Sequence, residues 1–115
     1  MFKLDNVTKR FGSVRAVGPV SIEAATGRTT VLIGPSGCGK STLLRLMIGL
    51  TIPDHGQIEF DGTAMDLDQA AALRQRMGYV IQDGGLFPHL TARQNVTLMA
   101  RHLRRDEEGI DDWVE

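Results

Sequence analysis

Apolar and polar positions alternate through the first part of the chain. Phe2-Lys3-Leu4-Asp5 alternates and Val7-Thr8 stays extended, which predicts a half-buried strand. Residues 14–17 resume a short strand after Phe11-Gly12, and Val20-Ser21-Ile22-Glu23 alternates again before Gly27. Three short strands with tight turns predict an antiparallel layer. The pattern then changes. Arg28-Thr29-Thr30-Val31-Leu32-Ile33 ends in an unbroken apolar run, expected as a buried strand, and residues 40–48 read as a helix with Gly49 at its C′ position. Beyond the loop Pro53-Asp54-His55-Gly56, Gln57-Ile58-Glu59-Phe60 alternates into the turn signal Asp61-Gly62. Residues 69–76 read as a short helix, and residues 77–81 as a second buried strand ending at Gln82. A loop over residues 83–90 follows. Thr91 caps a further helix, with Gln94 completing a capping box. Ala92, Val96, Met99, Ala100 and Leu103 fall on one face of it and predict a core-facing stripe. Residues 111–115 look like the start of another helix.

Between the apolar run and the first helix stands Gly34-Pro35-Ser36-Gly37-Cys38-Gly39-Lys40-Ser41-Thr42. A glycine, four free positions and Gly-Lys-Ser make a phosphate-binding pattern. Glycines let successive N–H groups point into one concavity. Lys40 can reach β/γ-phosphates, the Ser41 hydroxyl suits Mg²⁺, and the following helix adds the positive end of its dipole. A glycine-rich turn without function could hold the same residues by chance, but strand, loop and helix in this order are what a nucleoside triphosphate site requires. For Cys38 the plain reading wins: a small residue that fits the loop, not a catalytic thiol.

Composition narrows the picture further. The chain has 115 residues, 42% hydrophobic and 23% charged, which is a globular rather than a disordered balance. A net charge of -1 gives no hint of nucleic acid or an anionic membrane. Arg101, Arg104 and Arg105 are answered at once by Asp106, Glu107, Glu108, Asp111 and Asp112, so a solvated helix end is expected. A single cysteine excludes an internal disulfide and fits a reducing compartment. Lys3 and Asp5 argue against a secretory signal, and no apolar run approaches transmembrane length. His55, His89 and His102 lack ligand spacing, so no metal beyond nucleotide-bound Mg²⁺ is expected.

Taken together, Val7-Thr8-Lys9-Arg10-Phe11-Gly12, residues 32–50, 56–62 and 78–82, Leu86-Phe87-Pro88-His89-Leu90-Thr91 and Asn95-Val96 resemble the N-terminal half of an ABC transporter ATP-binding subunit. The resemblance implies an α/β fold: a P-loop NTPase (RecA-like) core with an N-terminal antiparallel β layer, truncated within the helical subdomain. Residues 1–27 and 56–63 would form the layer, 28–50 and 77–82 the core, and 91–115 the start of the helical subdomain. It also implies ATP and Mg²⁺ as cofactors. Phe11 would stack on adenine, against the alternative of an ordinary core phenylalanine. Gln82 would sense the γ-phosphate and ligate Mg²⁺ with Ser41, against the alternative of a polar strand end. An aromatic face is a tolerant platform for a base, and a Gln carbonyl can ligate a cation while its amide orients water.

The family's signature motif, strand-ending Asp, catalytic glutamate and switch histidine have no counterpart here, so these residues alone are expected to bind ATP without turning it over. The resemblance further implies a membrane permease partner, a second ATP-binding subunit arranged head to tail, and a cytoplasmic place on the inner membrane face. Neither nucleic acid nor direct membrane insertion is expected. Val80-Ile81-Gln82 and Gly85-Leu86-Phe87-Pro88-His89 look most like importers of glycine betaine and related quaternary amines. Phe87 and Pro88 are candidates for the permease contact. Other readings are a soluble ABC-type ATPase without a permease, a small P-loop kinase, or a nucleotide-binding module only. The kinase should carry a lid soon after the loop, where residues 57–62 read as strand and turn.

Overall fold

In a computed structural model of the chain, residues 1–103 are described. The helix expected at residues 111–115 and the charged residues from Arg104 onward lie outside them. The chain forms two compact units, Met1–Gly78 and Tyr79–Glu115.

The first unit is built on a four-stranded sheet ordered β2-β1-β3-β4, with β1 at Phe2–Phe11, β2 at Val14–Ala24, β3 at His55–Phe60 and β4 at Thr63–Ala64. Every pairing is antiparallel. The two short strands expected at residues 14–17 and 20–23 are one continuous strand. Gly18-Pro19 does not end it because β2 is the edge of the sheet, where a residue without an N–H can sit without breaking a ladder. Asp61 (φ 48°) and Gly62 (φ 79°) join β3 to β4 through a two-residue turn with both central φ positive, as their sequence predicted. Asp61 also accepts from the Met1 ammonium at 2.5 Å and from Arg76 at 2.5 Å, and the Arg76 guanidinium lies 5.0 Å from the Phe60 ring centroid.

Helix α1 covers Lys40–Met47 and buries Leu43, Leu46 and Met47, the i, i+3, i+4 set that one helix face presents. It stops in a Schellman motif: Leu50 N–H donates to the Arg45 carbonyl at 2.9 Å and Gly49 N–H to that of Leu46 at 3.1 Å. Gly49 (φ 68°) is needed twice over, since a Cβ there would meet Ala70 Cβ at 2.8 Å and Met65 Sδ at 2.9 Å. Arg74 donates to the Gly49 carbonyl at 3.0 Å, covering the helix end. Helix α2 runs Leu67–Arg74, two residues ahead of expectation, because the Asp66 carboxylate accepts from Gln69 N–H at 2.8 Å and caps it. Leu4, Val7 and Ile58 from the sheet meet Leu46, Met65 and Leu73 in a shared core.

The buried strands expected at residues 28–33 and 77–81 are not formed. Val31 is 70% and Ile33 92% exposed, and Val80 is exposed as well. A strand of a parallel sheet exists by pairing at its edges, and neither segment is part of the described sheet. Leu32 and Met77 alone of these residues lean on the core.

In the second unit, helix α3 spans Ala92–His102 behind the predicted capping box. Thr91 Oγ1 accepts from Gln94 N–H at 3.1 Å and Gln94 Oε1 from Thr91 N–H at 2.8 Å. The core-facing stripe is overturned. Val96 is 68% exposed and Met99 is exposed too, whereas Thr97 is buried at 2%, its hydroxyl returned to the Arg93 carbonyl at 2.9 Å. The apolar face of α3 finds no cover among the described residues.

Candidate functional site

The phosphate loop leaves residues 28–33 and turns into α1 on left-handed glycines, Gly37 (φ 78°) and Gly39 (φ 101°). A Cβ at Gly39 would overlap the Ala16 carbonyl oxygen, so the loop rests against the backbone of β2 and only glycine fits. Cys38 N–H donates to the Pro35 carbonyl at 3.3 Å, tightening the turn over Ser36 and Gly37. Lys40 folds back across it. Its Nζ donates to the Gly34 carbonyl at 2.6 Å and the Pro35 carbonyl at 2.8 Å, and lies 3.4 Å from Cys38 Sγ. Cys38 is exposed, yet its sulfur is directed at Gly34, where a Cβ would come within 2.7 Å of it.

The start of α1 is arranged against helix stability. No side chain caps it, its N-cap is a left-handed glycine, and its first turn holds no acid but does hold Lys40. A helix N-terminus carries orphan N–H donors and partial positive charge, so a cation there is unfavourable by about 0.3–1 kcal/mol. The free N–H groups, the ammonium and the Ser41 hydroxyl are all complementary to a polyanion carrying a divalent cation. These residues therefore fit Mg²⁺ and a nucleoside triphosphate: Gly34, Pro35, Ser36, Gly37, Cys38, Gly39, Lys40 and Thr42 could surround the phosphates and Ser41 could hold the metal. A cavity of about 430 Å³, a size suited to a small-molecule ligand, opens beside the loop between Ala16, Val17 and Val20 of β2 and Val31, Ile33 and Lys40.

Phe11 is not part of that cavity's lining. It closes β1 opposite Val14 and is 54% exposed, so it is not a core phenylalanine. Lys9 Nζ lies 5.5 Å from its ring centroid. Gln82 stands exposed on a bend of the second unit. The same unit holds one feature whose role the sequence did not indicate. Asn95 grips the backbone of the preceding loop: Oδ1 accepts from Phe87 N–H at 2.7 Å, and Nδ2 donates to the carbonyls of Phe87 (3.2 Å), Leu90 (3.2 Å) and Thr91 (3.0 Å). Held in this way, Leu86 and Phe87 remain exposed, the latter edge-on to His89 at 5.7 Å. An Asn one turn inside a capped helix was the signal available for this. Among the described residues no helix is long and apolar enough to cross a membrane.

Comparison with known proteins decides the family: the ABC transporter family model matches residues 17–115. The chain belongs to the ABC transporter family. A sulfate/thiosulfate import ATP-binding protein of Gloeobacter violaceus is 46% identical over 81% of this chain and 26% of its own length. A spermidine/putrescine import ATP-binding protein of Chromobacterium violaceum is 41% identical over 100% of this chain and 31% of its own. A dimeric ATP-binding cassette solved in a post-hydrolysis state with ADP and Pi superposes with TM-score 0.83 at 33% identity, over 96% of this chain and 52% of that one. The chain thus spans about half of the solved ABC cassette and under a third of those two curated relatives. The fold is that of an ABC ATPase cassette, the P-loop NTPase core with its antiparallel layer.

Proposed function

We propose that the chain binds Mg-ATP through residues 34–42 and belongs to the energy-coupling subunit of an ABC importer. The single observation that carries this reading is the start of α1, a helix end without cap or acid that instead directs Lys40 and orphan N–H groups at one glycine loop. Phe11 serves as the adenine platform, supported by its exposure at the end of β1. Ser41 and Gln82 are the residues that would hold Mg²⁺, and the Gln82 amide would orient water toward the γ-phosphate. In the whole protein, ATP closes two subunits head to tail and hydrolysis reopens them. The motion passes to a permease through the Asn95-held loop with Phe87 and Pro88, on the cytoplasmic face of the membrane. Import as the task is supported by relatives named for sulfate, polyamine and Fe(3+) uptake, which speaks for a permease over a soluble ATPase.

The finer assignment to quaternary amines is supported by relatives named for glycine betaine/carnitine/choline, choline and osmoprotectant transport, each 40% identical. The sulfate and Fe(3+) relatives reach 46% and 45%, so the osmoprotectant class is one of several that fit. The test of the nucleotide reading is calorimetric titration of the 115-residue chain with Mg-ATP and with Mg-tripolyphosphate. Phe11→Ala is expected to weaken ATP by roughly 1–3 kcal/mol, the range for base stacking on an aromatic, and to leave tripolyphosphate alone. Equal loss of both ligands would return Phe11 to a structural role.

A further inference from the structure

Phe11 is not presented bare. Its neighbour Lys9 is only 16% exposed at the side chain, which for a lysine means a held ammonium. Two contacts hold it: Asp54 Oδ1 at 3.1 Å, and the Phe11 ring, over which Nζ stands 5.5 Å from the centroid. Asp54 in turn is stitched to the same stretch of β1 by its backbone and its second oxygen. Its N–H donates to the Thr8 carbonyl at 2.9 Å, and Oδ2 accepts from Arg10 N–H at 2.6 Å. A loop residue 45 positions away in sequence is therefore fixed to the three residues that lead into Phe11. The Arg10 N–H first, then Lys9, hold the Asp54 carboxyl below the usual carboxylate range, so the latch stays ionised at neutral pH.

We propose that Lys9, anchored by Asp54, is the positioning residue for base recognition: it occupies one face of the Phe11 ring and leaves the opposite face as a fixed platform for a purine. The proposal rests on the adenine-platform reading of Phe11 given above. A cation over a ring is attracted to its π-electrons. That attraction sets the ring plane relative to β1. It also draws electron density toward Lys9 and away from the free face, which favours stacking of an electron-rich purine there. Lys9 does this without touching the nucleotide, and triphosphate held at Lys40 does not depend on it. A latch that merely stabilised the strand would leave no trace in which part of the ligand is felt.

The experiment measures the ratio of Mg-ATP to Mg-tripolyphosphate affinity by calorimetry on the 115-residue chain and its variants. Lys9→Met keeps the stem and removes the charge. It is expected to weaken ATP about two- to fivefold, the scale of an exposed cation–π contact, with tripolyphosphate unchanged within twofold. Asp54→Asn is expected to move the ratio the same way and by less, since Asn still accepts from Arg10 N–H. Lys9→Arg restores a cation and is expected to restore the ratio. Lys9→Met leaving the ratio at its wild-type value, while Phe11→Ala still separates the two ligands, overturns the proposal alone. Phe11→Ala failing to separate them overturns the platform reading and this proposal with it.

Discussion

Removing the Lys40 ammonium tests the phosphate loop at its centre. This group donates to two neutral acceptors, the carbonyls of Gly34 and Pro35. Binding of a triphosphate exchanges them for anionic oxygens. A hydrogen bond to a neutral partner contributes roughly 0.5–1.5 kcal/mol and one to a charged partner roughly 1.5–3. Exchanging two contacts is therefore favourable by about 2–3 kcal/mol, or roughly a 30- to 150-fold tighter complex. Lys40→Ala forfeits all of it and is expected to bring ATP binding to the edge of detection. It also strips two loop carbonyls of their donor, so the loop should exchange its amide hydrogens faster. Calorimetry with Mg-ATP and Mg-tripolyphosphate should show both ligands weakening by the same factor, because Lys40 acts on phosphate. Unchanged ATP affinity, or loss of ATP with tripolyphosphate retained, would refute the reasoning.

Other outcomes follow from single contacts. Alkylation of the exposed Cys38, whose sulfur faces Gly34 and lies 3.4 Å from Lys40 Nζ, is expected to block nucleotide binding, and bound ATP to slow alkylation; equal labelling rates with and without ATP would place the thiol outside the ligand's reach. Gly49→Ala forces a side chain into φ 68° and against Ala70 and Met65, and is expected to lose roughly 2–4 kcal/mol of stability in urea unfolding. Asp61 is held below its ordinary value of 3.8, first by the Met1 ammonium and also by Arg76. A depressed folded value means this contribution is complete above 3.8 and vanishes as pH falls through the lower folded value, so Asp61→Asn should flatten that acid limb of the stability curve.

What the sequence made legible was local. The Thr91–Gln94 box, the Asp61-Gly62 turn and Gly49 at the end of α1 depend on residues within one turn of each other, and each formed as read. The phosphate loop was legible for the same reason, since its spacing is its geometry. Segments 28–33 and 77–81 were misread because apolar composition states that a strand would be buried, not that a neighbour is present to pair with it. The α3 stripe failed alike: periodicity names a face but not what covers it, and here Thr97 is covered instead. The contact of Lys9 with Asp54 joins positions 45 apart and leaves no local trace.

The grip of Asn95 on its loop has a consequence for how such a surface can diversify. All four of its contacts go to main-chain atoms, of Phe87, Leu90 and Thr91. The shape of the loop is thereby uncoupled from the side chains it displays. Leu86, Phe87, Pro88 and His89 can be exchanged for others while the frame beneath them stays as it is. A partner meeting this surface encounters a preformed shape, and the entropy of ordering the loop has already been lost in folding rather than on contact. A fixed main-chain frame of this kind separates what the loop displays from how it is shaped.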